Sequence, residues 1–397
     1  MELIFPEAIH FDCGACGRCC RGWSVAFDES AWRRVKGSAL FERLEREHGE
    51  APAVADENAP HGPPAICRLR DGACAFLSPD RACLIHRELG PSAKPFGCSL
   101  FPFLVRPTPD GVHVGVSFYC SAVQANHGRP LHEHAGDIER ARQAVHFAPI
   151  GDTVPFDAGH VISWALYRDV ESECLQTLRS APNLSDGLWL AHIRIVLASS
   201  LLDRALIPPA EAWERAHRAE VARNEAFRQL EDMLLVHVLG ALESGDEAQR
   251  KANTEALFFR GQANTESFGP VDIAHLEDFR RRFDASWSHL EIRRYLEHLL
   301  FRKQLVHSRN VAANAAAWRL VLPLLEWYRD LSAFTARRKE PDLTDLHRAL
   351  EEVERSFMLH ATRLDDLFET LARRYRRLLE QQQDELRTGG LHDAHLS

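Results

Sequence analysis

The sequence predicts a mainly α protein: an irregular, cysteine-rich metal-binding module with a short β-hairpin comes first, and a multi-helix domain follows. Two observations predict it. Nine of the ten cysteines precede residue 121, in a stretch also rich in glycine and proline. Beyond about residue 135, apolar side chains recur at three- and four-residue steps, the spacing of one helix face. The boundaries read from these shifts are a cysteine-rich module over 1–125, a helical domain over 135–387 and a frayed tail over 388–397.

In the first part, residues 23–27 read as a short strand. Residues 29–48 read as a helix with Asp28 as N-cap, because a carboxylate there accepts from the first unpaired amides. The stretch 51–64, dense in Pro, Ala and Gly, reads as a surface loop that includes His61. Residues 99–106 and 112–119 flank the turn signal PTPDG and read as a hairpin, whose pairing would bring Cys98 and Cys120 together. The second part reads as helices at about 162–180, 186–206, 209–243, 246–260, 274–308, 311–338 and 343–387. Breaks fall at Pro208–Pro209, Gly261, Gly269–Pro270 and Pro341.

Bulk properties narrow the function. A chain of 397 residues can bury a core without disulfide staples. A net charge of −9 argues against a general nucleic-acid binder, which needs a basic face. No apolar run is long enough to span a membrane, and no secretory leader precedes Cys13. The expectation is a soluble protein of the reducing cytoplasm, where closely spaced cysteines serve as metal ligands or reactive groups more often than as disulfides. The sequence does not set its oligomeric state.

The cysteines carry the chemistry. FDCGACGRCCRG places Cys13, Cys16, Cys19 and Cys20 within eight positions. Thiolates two residues apart in a tight turn converge on one ion or cluster, and Gly14 and Gly17 permit the left-handed backbone such a loop needs. Adjacent Cys19 and Cys20 are not expected to point the same way, so one of them would serve a second role. Cys67, Cys74, Cys83, Cys98 and Cys120 are too widely spaced to share one local loop and could join the first group only on folding. All nine are candidate metal ligands, and they suffice for two four-ligand sites with one left over. All-thiolate donors suit zinc or iron–sulfur chemistry, and spacing alone does not choose. Cys174, inside a helical pattern, reads as a buried core residue.

FDCGACGRCCRGWSVAFD, CAFLSPDRACLIHRELG and KPFGCSLFPF resemble the cysteine-cluster zinc- or iron-chelating proteins. The extended pattern is similar to the flagellin lysine-N-methylase family, with weaker likeness in RRYLEHLLFRKQLV (293–306) and ERSFMLHATRLDDLF (354–368). That resemblance implies an iron–sulfur cluster, [4Fe–4S], on several of these cysteines, and S-adenosylmethionine-dependent methylation of lysines on a flagellin-like protein partner. The sequence departs from the methylase pattern at FPF (101–103), where FPR or YPR is usual, and at Ser121, where proline is expected.

Other candidates are weaker. His86 lies three residues after Cys83, within reach of a shared centre. His127, His132 and His134 lack the spacing that puts two imidazoles on one helical face. No glycine-rich turn of the nucleotide-binding kind is present, so a methyl-donor pocket would be of another type. Asp28, Tyr119 and Glu297 are candidates to position a lysine amine. Arg373, Arg374, Arg376 and Arg377 read as a solvated helix face. Two other function classes stand beside the methylase: a noncatalytic zinc- or iron-binding protein whose helices recognise a partner, and a thiol redox sensor using Cys19–Cys20 or another pair.

Overall fold

The computed structural model describes residues 2–55, 64–142, 147–242, 247–265, 267–358 and 365–392; His61 lies outside them. The chain divides into two compact units, Met1–Pro149 and Ile150–Ser397. The architecture is mainly α, with a cysteine-rich N-terminal region of short strands followed by a helical domain.

The first unit runs β1 (Leu3–Ile4), β2 (His10–Phe11), β3 (Ala26–Phe27), α1 (Glu29–Lys36), α2 (Ala39–His48), β4 (Ala53–Val54), β5 (Ala65–Cys67), β6 (Leu69–Arg70) and β7 (Ala73–Cys74). It continues with α3 (Leu84–Leu89), α4 (Phe96–Leu100), β8 (Phe103–Thr108), β9 (Gly111–Val116), α5 (Ser121–Gln124), β10 (Arg129–Pro130) and α6 (Ala135–Arg142). Strand β9 pairs antiparallel with β8 and parallel with β1, in register Phe103↔Val116 and Leu3↔Val112. Its Val112, Val114 and Val116 are fully buried, as a central strand requires. A second sheet orders β3, β5 and β4, and its core gathers Phe27, Val35, Leu40, Phe76 and Ile85.

Two expectations in this unit change. The helix expected over 29–48 is two, because the Ser38 hydroxyl accepts from Phe41 N at 3.2 Å and donates to Val35 O at 2.6 Å, capping one helix while closing the other. The loop expected at 51–64 contains β4, paired to β5 through Ala53↔Cys67.

The second unit opens on the hairpin β11 (Thr153–Pro155) and β12 (Val161–Ser163), followed by α7 (Trp164–Ser180), α8 (Leu184–Ala205), α9 (Pro209–Arg218), α10 (Glu225–Leu242) and α11 (Glu247–Arg260). A further hairpin, β13 (Gln262–Thr265) and β14 (Gly269–Asp272), leads to α12 (Ile273–Arg280), α13 (His289–Phe301), α14 (Val311–Thr335), α15 (Leu343–Glu352) and α16 (Asp365–His392). Helix α14 is buried almost all round and packs against α8, α12, α13, α15 and α16, which makes it the axis of the unit.

Three helices expected as single runs are divided. Asn224 Oδ1 accepts from Phe227 N at 3.2 Å and starts α10 afresh after α9. Asp284 Oδ1 accepts from Ser286 N at 2.8 Å in the turn between α12 and α13. A wider π turn, Val353–Met358, follows α15. That turn carries Glu354, which is fully buried and accepts from Arg302 Nη1 at 2.6 Å, Arg302 Nη2 at 3.1 Å and the Tyr295 hydroxyl at 2.5 Å. The bidentate geometry joins the turn to α13 and its C-cap.

Removing one member of a buried pair strands the other charge. Glu354→Ala is expected to cost about 3–5 kcal/mol, read as a lower midpoint in denaturant unfolding. The paired replacement of Arg302 by Met and Glu354 by Leu should recover most of it, because neither charge is then left buried.

Candidate metal centre

The Cys13–Cys20 loop turns through two left-handed residues, Ala15 at φ 48° and Gly17 at φ 69°. Of the two expected glycines only Gly17 uses its freedom; alanine supplies the other position. Gly17 also sits where a Cβ would lie 3.2 Å from Arg81 Cβ and 3.3 Å from Leu77 Cδ1. The loop therefore rests on the turn that precedes Cys83, and a side chain at 17 would lift it off. A short 3₁₀ turn, Arg18–Cys20, follows.

Beyond Cys20 the chain is clamped from two directions. Arg21 bridges Ala73, and Gly22 N donates to Gly72 O at 2.9 Å, which lays this segment along the β6–β7 hairpin that carries Cys74. On the other flank, Asp12 N donates to His127 O at 2.8 Å and β2 pairs with β10. Arg129 N donates to Asp12 Oδ2 at 3.0 Å, and the Arg129 guanidinium beside Asp12 holds its carboxyl below the usual range. The Cys16 thiol lies 3.3 Å from the Ser121 hydroxyl, next to Cys120.

The remaining cysteines sit at element ends. Cys67 ends β5, its amide donating to Val25 O at 2.8 Å. Cys83 and Cys120 are the N-cap residues of α3 and α5, and Cys98 lies within α4. Asp28 links two of these regions. Its Oδ1 accepts from Ala31 N at 2.9 Å, capping α1 as expected, while Oδ2 accepts from Phe96 N at 3.1 Å, fixing the start of α4.

None of the ten cysteines is in a disulfide. Cys13 and Cys16 are exposed, Cys67 is buried, and Cys19, Cys20, Cys74, Cys83, Cys98 and Cys120 are half-buried. Cys19 and Cys20 do meet, against the sequence expectation: the contact with Cys20, then burial, pushes the Cys19 thiol up. Cys67 and Cys74 form a similar pair, which with burial pushes Cys67 up, while the same pairing holds Cys74 down. Burial raises Cys83, takes Cys98 to about 12 and takes Cys120 to about 11. Cys98 feels the charges of Cys74, Cys83 and Cys19, and Cys120 feels those of Cys19 and Cys16. Cys19 is thus common to the neighbourhoods of Cys98 and Cys120, the two residues that the β8–β9 hairpin was expected to gather.

Among the described residues, no three His, Cys, Asp or Glu side chains stand ready-made around an ion. What the fold supplies is the gathering of the segments and a soft, all-sulfur donor set. That chemistry fits zinc or iron. Cys19 meets Cys20 and Cys67 meets Cys74, and metal ligation requires thiols to give up their protons.

The other candidates are placed elsewhere or already occupied. His86, His127 and His132 are exposed. His134 is buried, with Nε2 2.7 Å from Phe11 O, tying α6's approach to β2. Tyr119 is buried against Trp23 at 4.6 Å between ring centroids. Glu297 accepts from Arg179 Nη2 at 2.7 Å in the helical unit, and Arg376 pairs with Asp203. Cys174 is 1% exposed, as a core residue should be, with its thiol pushed up to about 12 by burial. Sequence reading missed the β6–β7 hairpin. Its signal was present: Asp71–Gly72 takes φ 49° and 72°, the two-residue turn that Asp-Gly favours.

Asp28→Ala removes a helix cap and the tie to α4 together. The expected loss is about 1–2 kcal/mol from the cap, with faster alkylation of Cys98 than in the parent protein. Thermal unfolding and mass spectrometry of alkylated peptides measure the two effects.

Comparison with known proteins is consistent with this site. No solved structure matches the chain. A flagellar biosynthetic protein FliU from Salmonella muenchen is 26% identical over 119 residues, covering 29% of this chain and 69% of that protein. Residues 12–121, which hold all nine clustered cysteines, match the CxxCxxCC family model, described as a "Putative zinc- or iron-chelating domain". Over that segment the chain is similar to a metal-chelating family, and the similarity supports metal binding by the N-terminal unit.

Proposed function

We propose that the N-terminal unit holds an iron–sulfur cluster of the [4Fe–4S] type on thiolates drawn from Cys13, Cys16, Cys19, Cys20, Cys67, Cys74, Cys83, Cys98 and Cys120. We further propose that the protein is a cytoplasmic, S-adenosylmethionine-dependent methylase of protein lysines. The carrying observation is the convergence of the clamped Cys13–Cys20 loop with the segments of Cys74, Cys83 and Cys120, inside the stretch that matches the chelating family. The likeness to a flagellar biosynthetic protein favours a protein partner, and the methylase reading rests on the resemblance of the cysteine pattern to the flagellin lysine-N-methylase family.

The residues' own contributions follow from their placement. Gly17 lets the first loop lie close against the 77–81 turn, and Asp28 fixes the start of α4, the helix that carries Cys98. Lys94 lowers the cost of thiolate charge at Cys19, Cys83 and Cys98, since its ammonium acts favourably on all three. A bound iron–sulfur centre would supply redox and Lewis-acid chemistry. Zinc would instead make the unit a structural chelate.

Anaerobic purification with metal and acid-labile sulfide analysis tests the cluster. Iron and sulfide in equal amounts, with a visible charge-transfer band, are expected. Stoichiometric zinc without sulfide would replace the cluster by the noncatalytic reading. Cys16→Ser should lose most of the metal, because the remaining thiolates lose a closed shell, whereas Cys174→Ser should keep it. Labelled S-adenosylmethionine with lysine-bearing protein substrates, flagellin first, tests the activity; absence of both donor binding and label transfer under reducing conditions removes the methylase proposal.

A further inference from the structure

The helical unit buries a second group of chemistry-bearing side chains, far from cysteine in character and unused by the proposal above. His192 of α8, Arg319 of α14 and Tyr375 of α16 are 0%, 4% and 1% exposed. Both ring nitrogens of His192, Nε of Arg319 and the Tyr375 hydroxyl have no hydrogen-bond partner among the described residues. These residues are neighbours. The His192 and Tyr375 rings meet edge to face at 4.5 Å and 88°, and the Arg319 charge acts on both residues. Tyr375 lies beside Glu231 of α10, whose Oε1 is likewise without an aligned hydrogen bond.

Buried polar atoms that lose water and gain no partner are destabilising, so such a concentration in one place calls for an occupant. Charge indicates which kind. The Glu231 carboxylate is shared between Arg319, whose Nη2 is 3.0 Å from Oε1, and Arg223. Two guanidiniums against one carboxylate leave a positive surplus. His192 does not add to it, because burial and the Arg319 charge push it down to about 3. Asp232, the next carboxylate along α10, acts on Arg223 only from an exposed position. The unpartnered atoms, with Arg319 Nε and the Tyr375 hydroxyl as donors, therefore sit in a locally positive, aromatic-walled setting, with Phe227 stacked on Tyr375 at 6.3 Å and Trp189 against Phe227 at 4.8 Å. Arg223, on the connection between α9 and α10, is 25% exposed, more than Glu231, Arg319, His192 or Tyr375.

We propose that the crossing of α8, α10, α14 and α16 is a binding site for a small oxyanion, taken up past Arg223 and held by Arg319 Nε, the Tyr375 hydroxyl and the His192 ring. A carboxylate and a phosphate share the required chemistry, two or three acceptor oxygens on one negative group.

The test uses the full-length protein at low ionic strength in chloride buffer, titrated separately with acetate and with inorganic phosphate. Thermal unfolding and the ¹⁵N resonances of the His192 ring are followed. One of the two anions should raise the unfolding temperature and shift the His192 signals in a saturable way, and which one does so names the ligand class. His192→Leu and Tyr375→Phe each remove an unpartnered group and should fold at least as well as the parent. Each should weaken the effective anion by about tenfold or more, the worth of a hydrogen bond to a charged group. Unmoved His192 signals with either anion would overturn the proposal in favour of ordered water alone. An equal response in parent and variants would place the anion on the surface and overturn it as well.

Discussion

A thiol buried among other thiols has nowhere to put a negative charge, and the N-terminal unit is organised around that constraint. Burial alone takes Cys98 and Cys120 well above an ordinary thiol, and neighbouring cysteines add to the penalty. The chain answers with pairing, Cys19 with Cys20 and Cys67 with Cys74, and with the ammonium of Lys94. Pairing and one ammonium relieve part of that penalty, but they do not explain why so many cysteines are brought together. A cation explains it, because a positive centre turns the same crowding from a liability into a coordination shell.

Holding such a cluster demands a backbone that does not give way when charge changes. The unit has few long elements, so rigidity comes from short hydrogen-bonded contacts between distant segments: Gly22 to Gly72, Asp12 to His127, and Phe96 to Asp28. Each crosses a large stretch of sequence. The order of the segments in the chain therefore matters less than the closure of these ties, and a disulfide would duplicate what they do while consuming two donors.

Much of this was legible in the sequence, and the exceptions have physical causes. Cysteine density marked the unit, Asp28 announced a cap, and apolar periodicity marked the helices. What periodicity could not supply was where a helix stops, because the stops are made by single polar side chains. Ser38, Asn224 and Asp284 each offer the backbone a local hydrogen bond that competes with continuation, and each sits in a stretch whose apolar spacing carries on regardless. The meeting of Cys19 and Cys20 was hidden for a related reason. Side-chain direction in a non-repeating turn depends on left-handed residues such as Ala15, a type that sequence patterns seldom assign there.

The helical unit solves the same problem of buried charge with different chemistry, and the comparison separates structure from site. Arg302 and Glu354 satisfy each other bidentately, and buried Lys303 is held by Glu171. Arg329 pairs with Asp330, which also accepts from Arg280 at 2.8 Å. In these groups each buried cation is aligned on a carboxylate, which is what a purely structural network requires. The His192, Arg319 and Tyr375 cluster is different because both His192 nitrogens, Arg319 Nε and the Tyr375 hydroxyl have no aligned partner at a place where water is excluded. Unpartnered atoms of that kind weaken a core unless something from outside completes them, and so within one helical bundle the completeness of the hydrogen bonding distinguishes a strut from a receptor.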